Sequence, residues 1–418
     1  MNRREFGKLA AAGVGGNLLA ASDGRAADPA NSEPIKSTTP AKPQQTDDLP
    51  AAEIDRPAAG EPVSVADFRA LAKARLPRAT FDFVETGSTD EVTLRENVEA
   101  FRRVQLLPPI LTGVPQADLS TTVLGTPVKL PILLAPVAAQ RMYHPEGALA
   151  AARAAAAMGT VFGVSSSATS SIEEIARAAD GPRWYQLYVP RDRDIARRLV
   201  ERAEQAGYKA LVVTVDLGEY KDADRRNRFT LPREMLIKHL RDVGFSGIRD
   251  DMTHDELISF NSKAWDLTLR WDLFEWLRSI TKLPLLIKGV LRPDDARRAV
   301  AAGVHGIVVS NHGGRRLDGV PATITMLPHV MKAVDGKAEV FLDSGVRRGT
   351  DVLKALAYGA QAVLIGRAYA WALAADGEAG VRKVLELLRD ELQSAMTACG
   401  CADISQVRPE LIWENPAR

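Results

Sequence analysis

Short apolar runs alternate with longer amphipathic runs over most of the chain after residue 130. Eight of the apolar runs are three to six residues long and mostly rich in Val, Ile or Leu, which is typical of buried strands. The predicted strands are Pro131–Ala135, Thr160–Val164, Trp184–Val189, Ala210–Val215, Pro284–Ile287, Gly306–Val309, Val340–Leu342 and Ala362–Ile365.

The runs between these strands have the period of amphipathic helices, as in Glu146–Met158, Asp192–Ala206, Pro293–Ala302 and Thr350–Tyr358. Apolar strands that alternate with helices indicate a parallel sheet buried on both faces. Eight such units predict an α/β fold of the closed (β/α)8 TIM-barrel type. An all-helical alternative fails because the apolar runs are too short and are flanked by Gly and Asp.

Two segments lie outside the regular alternation. Val65–Ala72 fits an amphipathic helix and begins an N-terminal helical extension of the barrel. The connection between the fourth and fifth strands, from Val215 to Pro284, contains about seventy residues, is highly charged and includes several Trp. Because connections of this length are usually functional, we predict a long insertion after strand four.

Composition and charge narrow the class of protein. The apolar fraction of 46% is ordinary for a globular protein, and a net charge of +1 argues against nucleic-acid binding as the main role. Two cysteines, Cys399 and Cys401, cannot build a disulfide framework or a thiolate metal cluster. The histidines other than His312 show no ligand spacing, so we expect no metal site.

Polar residues stand where most of the predicted strands end, which in such a barrel is the catalytic face. A buried strand should not end in Lys or Asp without a partner, so these side chains predict one site at the barrel mouth. The alternative is a set of structural ion pairs that cap the barrel. The residues concerned are Gln186, Tyr188, Thr214, Asp216, Lys288, His312, Asp343, Gly366 and Arg367.

The loops after strands seven and eight combine Gly and Arg, in Asp343–Gly349 and Ile365–Arg367. Barrels often bind phosphate at these loops and at a helix N-terminus, and Arg offers phosphate a bidentate contact. The loop after strand six places His312, a possible base, close to Arg315, a possible anion clamp; a solvated turn is the alternative.

The sequence Ser310-Asn311-His312-Gly313-Gly314-Arg315, followed by Leu317-Asp318, resembles the signature of the FMN-dependent 2-hydroxy acid oxidases and dehydrogenases. Glycolate oxidase, lactate oxidase and mandelate dehydrogenase belong to this family. The resemblance extends from about residue 63 to the C-terminus. It implies an enzyme that uses FMN to oxidise the 2-hydroxy group of an L-2-hydroxy acid to a 2-oxo acid.

The resemblance also implies the cofactor contacts. Lys288 places a fixed cation where a reduced flavin carries negative charge. The residues that match cofactor-binding positions are Pro136, Val137, Ala138, Ser165, Gln186, Thr214, Lys288, Ser310, Asp343, Gly345, Arg347, Gly366 and Arg367.

The catalytic set predicted from the sequence is His312, Asp216, Lys288, Tyr188 and Arg315. His312 can act as the base near neutral pH, and Asp216 resembles its orienting partner. An acyl-transfer enzyme is a poor alternative, because no Gly-x-Ser-x-Gly elbow supplies a nucleophile. The predicted substrate contacts are Tyr188, His312, Arg315, Phe83 and Ser167.

Three substrate-side positions differ from the family's short-chain oxidases. Those enzymes have Tyr where Phe83 stands, Trp where Ser167 stands, and a second Arg in a basic run that here reads Glu219–Asp222. Lys221 is a candidate replacement, but a Lys is not a bidentate clamp. We therefore expect a substrate larger than lactate. The alternatives are an alcohol or amino substrate without a carboxylate, and a flavin-binding electron carrier without turnover.

Residues 1–27 have the charged, apolar and small-residue parts of an export signal, and Arg3-Arg4 before Phe6 and Lys8 resembles a twin-arginine signal. We therefore expect a periplasmic protein; a disordered basic tail is the alternative. Residues 28–62 are rich in Pro, Ala, Ser and Thr and predict a disordered linker. The FMN-binding barrel domain is then residues 63–418.

The resemblance and composition also set expectations about partners. The electron acceptor is oxygen, a quinone or a separate cytochrome, since the sequence contains no Cys-x-x-Cys-His haem-attachment motif. The family resemblance implies a homo-oligomer, specifically a tetramer.

Overall fold

The structure is a computed structural model that describes residues 60–217 and 230–413. Its strands are β1 Gln105–Leu106, β2 Thr121–Val123, β3 Thr126–Val128, β4 Ile132–Leu134, β5 Phe162–Ser165, β6 Arg183–Leu187, β7 Ala210–Thr214, β8 Leu285–Val290, β9 Gly306–Val309, β10 Glu339–Leu342, β11 Ala362–Ile365 and β12 Ile412–Trp413. Its α-helices are α1 Val65–Arg75, α2 Arg78–Glu85, α3 Val92–Arg103, α4 Ala148–Ala157, α5 Ile172–Ala178, α6 Arg193–Gln205, α7 Arg233–Val243, α8 His254–Lys263, α9 Asp272–Ile280, α10 Pro293–Ala301, α11 Thr323–Val334, α12 Gly349–Ala357 and α13 Arg367–Ala398.

A closed parallel barrel formed by β4 to β11 confirms the predicted (β/α)8 fold. Each of the eight predicted strands is present, and their ends differ from the predictions by at most three residues. The largest extension is in β8, which continues past Lys288 to Val290 through a register shift. Gly289 allows this irregularity, since it has a φ of +112° that favours glycine.

The interior of the barrel is filled by large apolar side chains, so the barrel is a packed core and not a pore. Trp184 lies fully buried inside it and packs edge-on against Phe341, with ring centroids 5.3 Å apart. Val123 and Val128 of the β2–β3 hairpin join the same apolar cluster. Because all barrel strands are parallel, their carboxyl ends meet at one mouth.

The N-terminal extension lies against the loop that follows β9. Asp318 in this loop accepts hydrogen bonds from the backbone N–H groups of Val92 and Thr93, at 3.1 and 2.7 Å, and so caps the start of α3. Asn97 of α3 and Asn311 exchange two buried side-chain hydrogen bonds, of 2.9 and 2.7 Å. The extension therefore holds the loop that carries His312.

The predicted insertion after the fourth barrel strand contains α7 and α8, before α9 packs beside the barrel. An ion pair of 2.8 Å between Arg193 and Asp266 and a β-bridge between Pro190 and Trp265 attach it to the segment after β6. Residues 218–229, which include Glu219–Asp222, lie outside the described residues, as do the export signal and residues 28–59 of the linker. In the described part of the chain, no helix combines the length and the apolar character needed to cross a membrane.

Candidate active site

A cavity of about 370 Å3 opens at the carboxyl ends of the barrel strands. This volume is within the range of small-molecule and cofactor sites. Most of the residues predicted from the sequence line it, namely Phe83, Pro136, Val137, Ala138, Ser165, Gln186, Tyr188, Thr214, Lys288, His312, Arg315, Asp343, Gly345, Arg347, Gly366 and Arg367. Asp216 and Ser310 lie behind the wall, where each bonds a lining residue.

Ser167 is the one predicted substrate contact that the structure places neither in the cavity wall nor in contact with a catalytic side chain. Its backbone N–H donates to Ser165 Oγ, at 3.0 Å, so its position serves the turn after β5. The sequence analysis placed Ser167 at the site because it matches a family position that holds Trp, and such a match does not determine the direction of a side chain.

His312 and Asp216 form a hydrogen-bonded pair across the mouth. Their Nδ1 and Oδ1 atoms are 2.9 Å apart, while Nε2 of the ring lies 3.4 Å from the Tyr188 hydroxyl. Since Asp216 accepts from Nδ1–H, the other ring nitrogen, Nε2, is left as the basic atom. His312 has a φ of +59°, which is uncommon for a residue with a side chain.

The electrostatic environment suits His312 for a base. Burial lowers the pKa of His312, and the charge and hydrogen bond of Asp216 offset part of that effect. Burial would raise the pKa of Asp216, but His312, with smaller contributions from Lys288 and Arg316, outweighs it and lowers that pKa to about 2. Neutral His312 therefore stands beside a charged carboxylate at neutral pH.

Gly289 is needed where β8 passes Asp216. A Cβ at this position would lie 2.7 Å from the Asp216 Cβ, closer than such atoms approach in proteins. The bulge in β8 thus makes room for the carboxylate that holds His312. A side chain at residue 289 would displace Asp216.

Lys288 is a buried cation fixed by two partners. Its Nζ lies 2.9 Å from Asp343 Oδ2 and donates to Ser310 Oγ, at 2.8 Å. Burial disfavours the charged form, but the carboxylates of Asp343 and Asp216 outweigh burial and raise the pKa of Lys288. The side chain therefore presents a permanent positive charge to the cavity.

Unpaired polar atoms face the middle of the cavity. Gln186 accepts from Ser165 Oγ, at 3.1 Å, which fixes the amide, yet its Nε2 has no partner among the described residues. The Thr214 hydroxyl is likewise buried and unpaired there. Since buried polar groups are nearly always hydrogen-bonded, these two atoms indicate a polar ligand beside Lys288.

Two arginines line the cavity without an ion-pair partner among the described residues. Arg347 stacks on the Trp371 ring, with 5.0 Å to the centroid, and Arg367 donates to the carbonyl oxygens of Val84, Thr86 and Gly313. Burial lowers the pKa of Arg347 to about 10 and that of Arg367 to about 9, with the neighbouring Arg charges adding to the effect on Arg367. An anion would relieve this unfavourable burial.

The N-termini of α12 and α13 differ in whether their backbone N–H groups are free to bind an anion. Asp351 accepts from the backbone N–H groups of Arg347 and Arg348, at 2.9 and 3.0 Å, and so caps α12 with a side chain of its own. Helix α13 begins at Arg367 after Gly366 and has no side-chain cap. A Cβ on Gly366 would meet nothing nearer than 3.9 Å, so the cavity has room beside this helix N-terminus.

Arg315 and Phe83 meet at the outer wall of the cavity. The Arg315 guanidinium lies over the Phe83 ring, 4.9 Å from its centroid, and its Nη1 donates to the carbonyl oxygens of Phe83 and Thr86. The arginine predicted as an anion clamp is therefore held at the mouth by α2 and the turn that follows.

Three further polar residues line the cavity that the sequence analysis did not single out. Tyr143 donates to the Ala138 carbonyl oxygen, at 2.9 Å, and Ser344 donates to Asp343 Oδ1, at 2.8 Å. Arg316 reaches the cavity beside His312. In the sequence, these residues are marked only by their closeness to motif residues. Many residues that point away from a site share that feature, so it does not identify them.

These features fit FMN. Arg347, Arg367 and the N-terminus of α13 suit its phosphate, and Gln186, Thr214 and Lys288 suit a polar ring. No group of three or more His, Cys, Asp or Glu within the described ranges is arranged to hold a metal ion.

Comparison with known proteins agrees with this site. The model of the family described as FMN-dependent dehydrogenase matches residues 72–414. The chain is 48% identical over 363 residues to glycolate oxidase 3 of Arabidopsis thaliana, covering 85% of this chain and 98% of that protein. It is 47% identical over 360 residues to 2-hydroxyacid oxidase 1 of Homo sapiens, covering 85% and 97%.

Solved structures show the same relationship in three dimensions. A soluble mutant of the membrane-associated (S)-mandelate dehydrogenase from Pseudomonas putida superposes with a TM-score of 0.78 at 36% identity, covering 85% of this chain and all of that one. Mandelate oxidase superposes with a TM-score of 0.75 at 41% identity, covering 83% and 97%. The chain belongs to the FMN-dependent dehydrogenase family, whose members among these relatives are 2-hydroxy acid oxidases and dehydrogenases.

Proposed function

We propose that this protein oxidises the 2-hydroxy group of an L-2-hydroxy acid to a 2-oxo acid. The observation that carries the proposal is the His312–Asp216 pair, which opens on the same cavity as the buried cation Lys288. When bound, FMN supplies a carrier that accepts a hydride equivalent. Proton transfer, substrate positioning and charge stabilisation are carried out by side chains of the protein.

His312 removes the proton. Its Nε2 faces the cavity and takes the proton of the substrate hydroxyl, while Asp216 holds the ring and stabilises the imidazolium that forms. Tyr188, whose hydroxyl lies 3.4 Å from Nε2, is placed to donate a hydrogen bond to the substrate. Lys288 stabilises negative charge that develops beside it, because Asp343 and Ser310 already fix its position.

We propose a substrate with an apolar side chain larger than that of lactate. The cavity wall at Phe83 is an aromatic ring without a hydroxyl. Mandelate oxidase, solved with (S)-mandelic acid in a mutant form, is one of the similar structures and acts on an aromatic 2-hydroxy acid. An aromatic or branched 2-hydroxy acid therefore suits this cavity.

Anaerobic bleaching of the flavin with a substrate panel tests the proposal. The panel contains glycolate, L-lactate, (S)-mandelate and a branched 2-hydroxy acid, with the neutral amide of mandelate and an amino acid of matched size. We expect the larger hydroxy acids to bleach the flavin fastest. Bleaching by the amide or the amino acid alone would favour the alternative substrate class, and no bleaching at all would favour an electron carrier.

We propose that the working form is a homo-oligomer that passes its electrons to oxygen, a quinone or a cytochrome. Ile110 and Leu111 are apolar side chains that are 84% and 98% exposed in a single chain, which favours a subunit contact. Light scattering tests for the tetramer implied by family resemblance, and a monomeric mass would contradict it. Reoxidation of reduced enzyme by oxygen, a quinone analogue or cytochrome c identifies the acceptor.

We also propose export to the periplasm as a folded holoprotein. The motivation is Arg3-Arg4, with Phe6 and Lys8, before a mild apolar run. Replacing both arginines by Lys should leave the precursor inside the cell, as measured by fractionation. Undiminished export of that variant would contradict the twin-arginine route.

A further inference from the structure

Arg316 lines the active-site cavity close to His312 in sequence and has no hydrogen-bond or ion-pair partner among the described residues. Its Nε is buried and makes no hydrogen bond to any described residue, and Arg316 forms no ion pair within residues 60–217 and 230–413. An arginine with a buried, unpaired donor in a cavity is costly unless a ligand completes it.

The charge of Arg316 acts directly on the catalytic pair. It contributes to lowering the pKa of Asp216 and that of His312, after the larger effects of burial and of the pair's own interaction. Both effects agree with the place of Arg316 in the lining of the cavity that also contains His312.

Arg315, by contrast, is already engaged at the mouth. It donates to the carbonyl oxygens of Phe83 and Thr86 and stacks on the Phe83 ring. A carboxylate has two oxygens and about four lone-pair sites that can accept hydrogen bonds. Because Nη1 of Arg315 already donates to backbone carbonyl oxygens, Arg315 alone would leave some of these sites on a bound carboxylate unfilled. The planar fork of a second guanidinium would fill it.

We propose that Arg316 is a substrate-binding residue that, together with Arg315, holds the carboxylate of the 2-hydroxy acid beside His312. This inference rests on the proposed function and adds a specificity residue to it. It predicts that the enzyme requires a charged carboxylate, because two positive guanidinium groups lining one cavity favour an anion over a neutral ligand.

Three variants test the proposal. Arg316→Gln removes the charge and the fork, Arg316→Lys keeps a point charge, and Arg297→Gln is a matched control at an exposed surface arginine of α10. Flavin reduction is measured by stopped flow without oxygen, with the best acid of the panel and with its neutral amide. Oxalate binding is measured separately by calorimetry on the holoprotein.

We expect Arg316→Gln to raise the half-saturating concentration of the acid, and the Kd of oxalate, by about tenfold to hundredfold. The half-saturating concentration of the amide should be unchanged or lower. Arg316→Lys should fall between parent and Arg316→Gln, and Arg297→Gln should match the parent. Preserved flavin content and circular dichroism establish that the variants are folded.

The outcomes separate the two proposals. If the acid reduces the parent and Arg316→Gln keeps the same half-saturation, oxalate Kd and acid-to-amide preference, Arg316 is not a carboxylate ligand while the proposed function stands. If no hydroxy acid reduces the parent, the proposed function fails. In that case the oxalate titration alone tests whether Arg316 binds a carboxylate, and an unchanged oxalate Kd in Arg316→Gln contradicts this role.

Discussion

Replacing His312 by Gln removes the proposed base and leaves much of the surrounding structure in place. A glutamine amide is similar in polarity and can still donate to Asp216, which accepts from His312 at 2.9 Å. The loop itself is anchored by Asn311 to Asn97 and by the hydrogen bond from the His312 backbone N–H to Ser310 Oγ, at 3.1 Å. These contacts do not depend on the imidazole.

The expected loss is at least about a hundredfold in the rate of flavin reduction. A positioned general base contributes roughly 10²–10⁴-fold, which corresponds to about 3–5 kcal/mol in the barrier. The upper part of that range applies here because Asp216, with its pKa lowered to about 2, is charged and stabilises the imidazolium. A glutamine cannot accept the proton, so this stabilisation has no counterpart in the variant.

Flavin binding should be unaffected, because the groups suited to the phosphate lie on the loops after β10 and β11 and those suited to the ring are Gln186, Thr214 and Lys288. The assay is anaerobic stopped-flow absorbance with the best substrate of the panel, after the flavin content has been measured. Asp216→Asn is the companion variant. It keeps the imidazole but removes the charge that supports it, so its rate should lie between those of parent and His312→Gln.

A particular result would refute this reasoning. If His312→Gln carries full flavin and reduces it at close to the parent rate with a confirmed substrate, His312 is not the base. The proton would then have to go to another group, and Tyr188 is the next candidate because its hydroxyl lies nearest to the same nitrogen.

Three further predictions follow from the same contacts. Because burial lowers the pKa of His312 and the base acts in its neutral form, kcat/KM should rise with pH along an acid limb whose midpoint lies below that of an ordinary histidine. Asp216→Asn removes a charge that raises the pKa of His312, so this limb should move to still lower pH. Lys288→Met should lower the flavin midpoint potential, measured by dye equilibration, and an unchanged potential would argue against a cation beside the ring. The same variant leaves Asp343 buried without its cation, so the free energy of unfolding should fall by about 3–5 kcal/mol in a denaturant titration. The protein should release one FMN per chain on acid denaturation, and Arg347→Gln should weaken FMN binding about tenfold or more in a fluorescence titration, whereas release of FAD would contradict the cofactor assignment.

The amino-acid sequence determined the barrel because its strands are buried on both faces. Such strands must be short, apolar and separated by amphipathic helices, and this pattern is visible without any contact information, as in Gly306–Val309 and Ala362–Ile365. The ends of strands were less certain where the backbone departs from regular geometry. In β8 the strand continues through the bulge at Gly289 beyond Ile287, its predicted end, and Gly289 lies against Asp216 of the segment after β7.

Tertiary structure alone decided which polar side chains meet. Asp216 and His312 are 96 residues apart and come to 2.9 Å only because two barrel strands share one mouth. Neighbours in sequence, by contrast, have different surroundings: Arg315 lies on Phe83 and donates to backbone carbonyl oxygens, while Arg316 has a buried Nε without a partner among the described residues. Residue type and spacing specify strands and helices, but the direction of a side chain in a loop depends on backbone φ and on close contacts with distant segments, which no local pattern encodes.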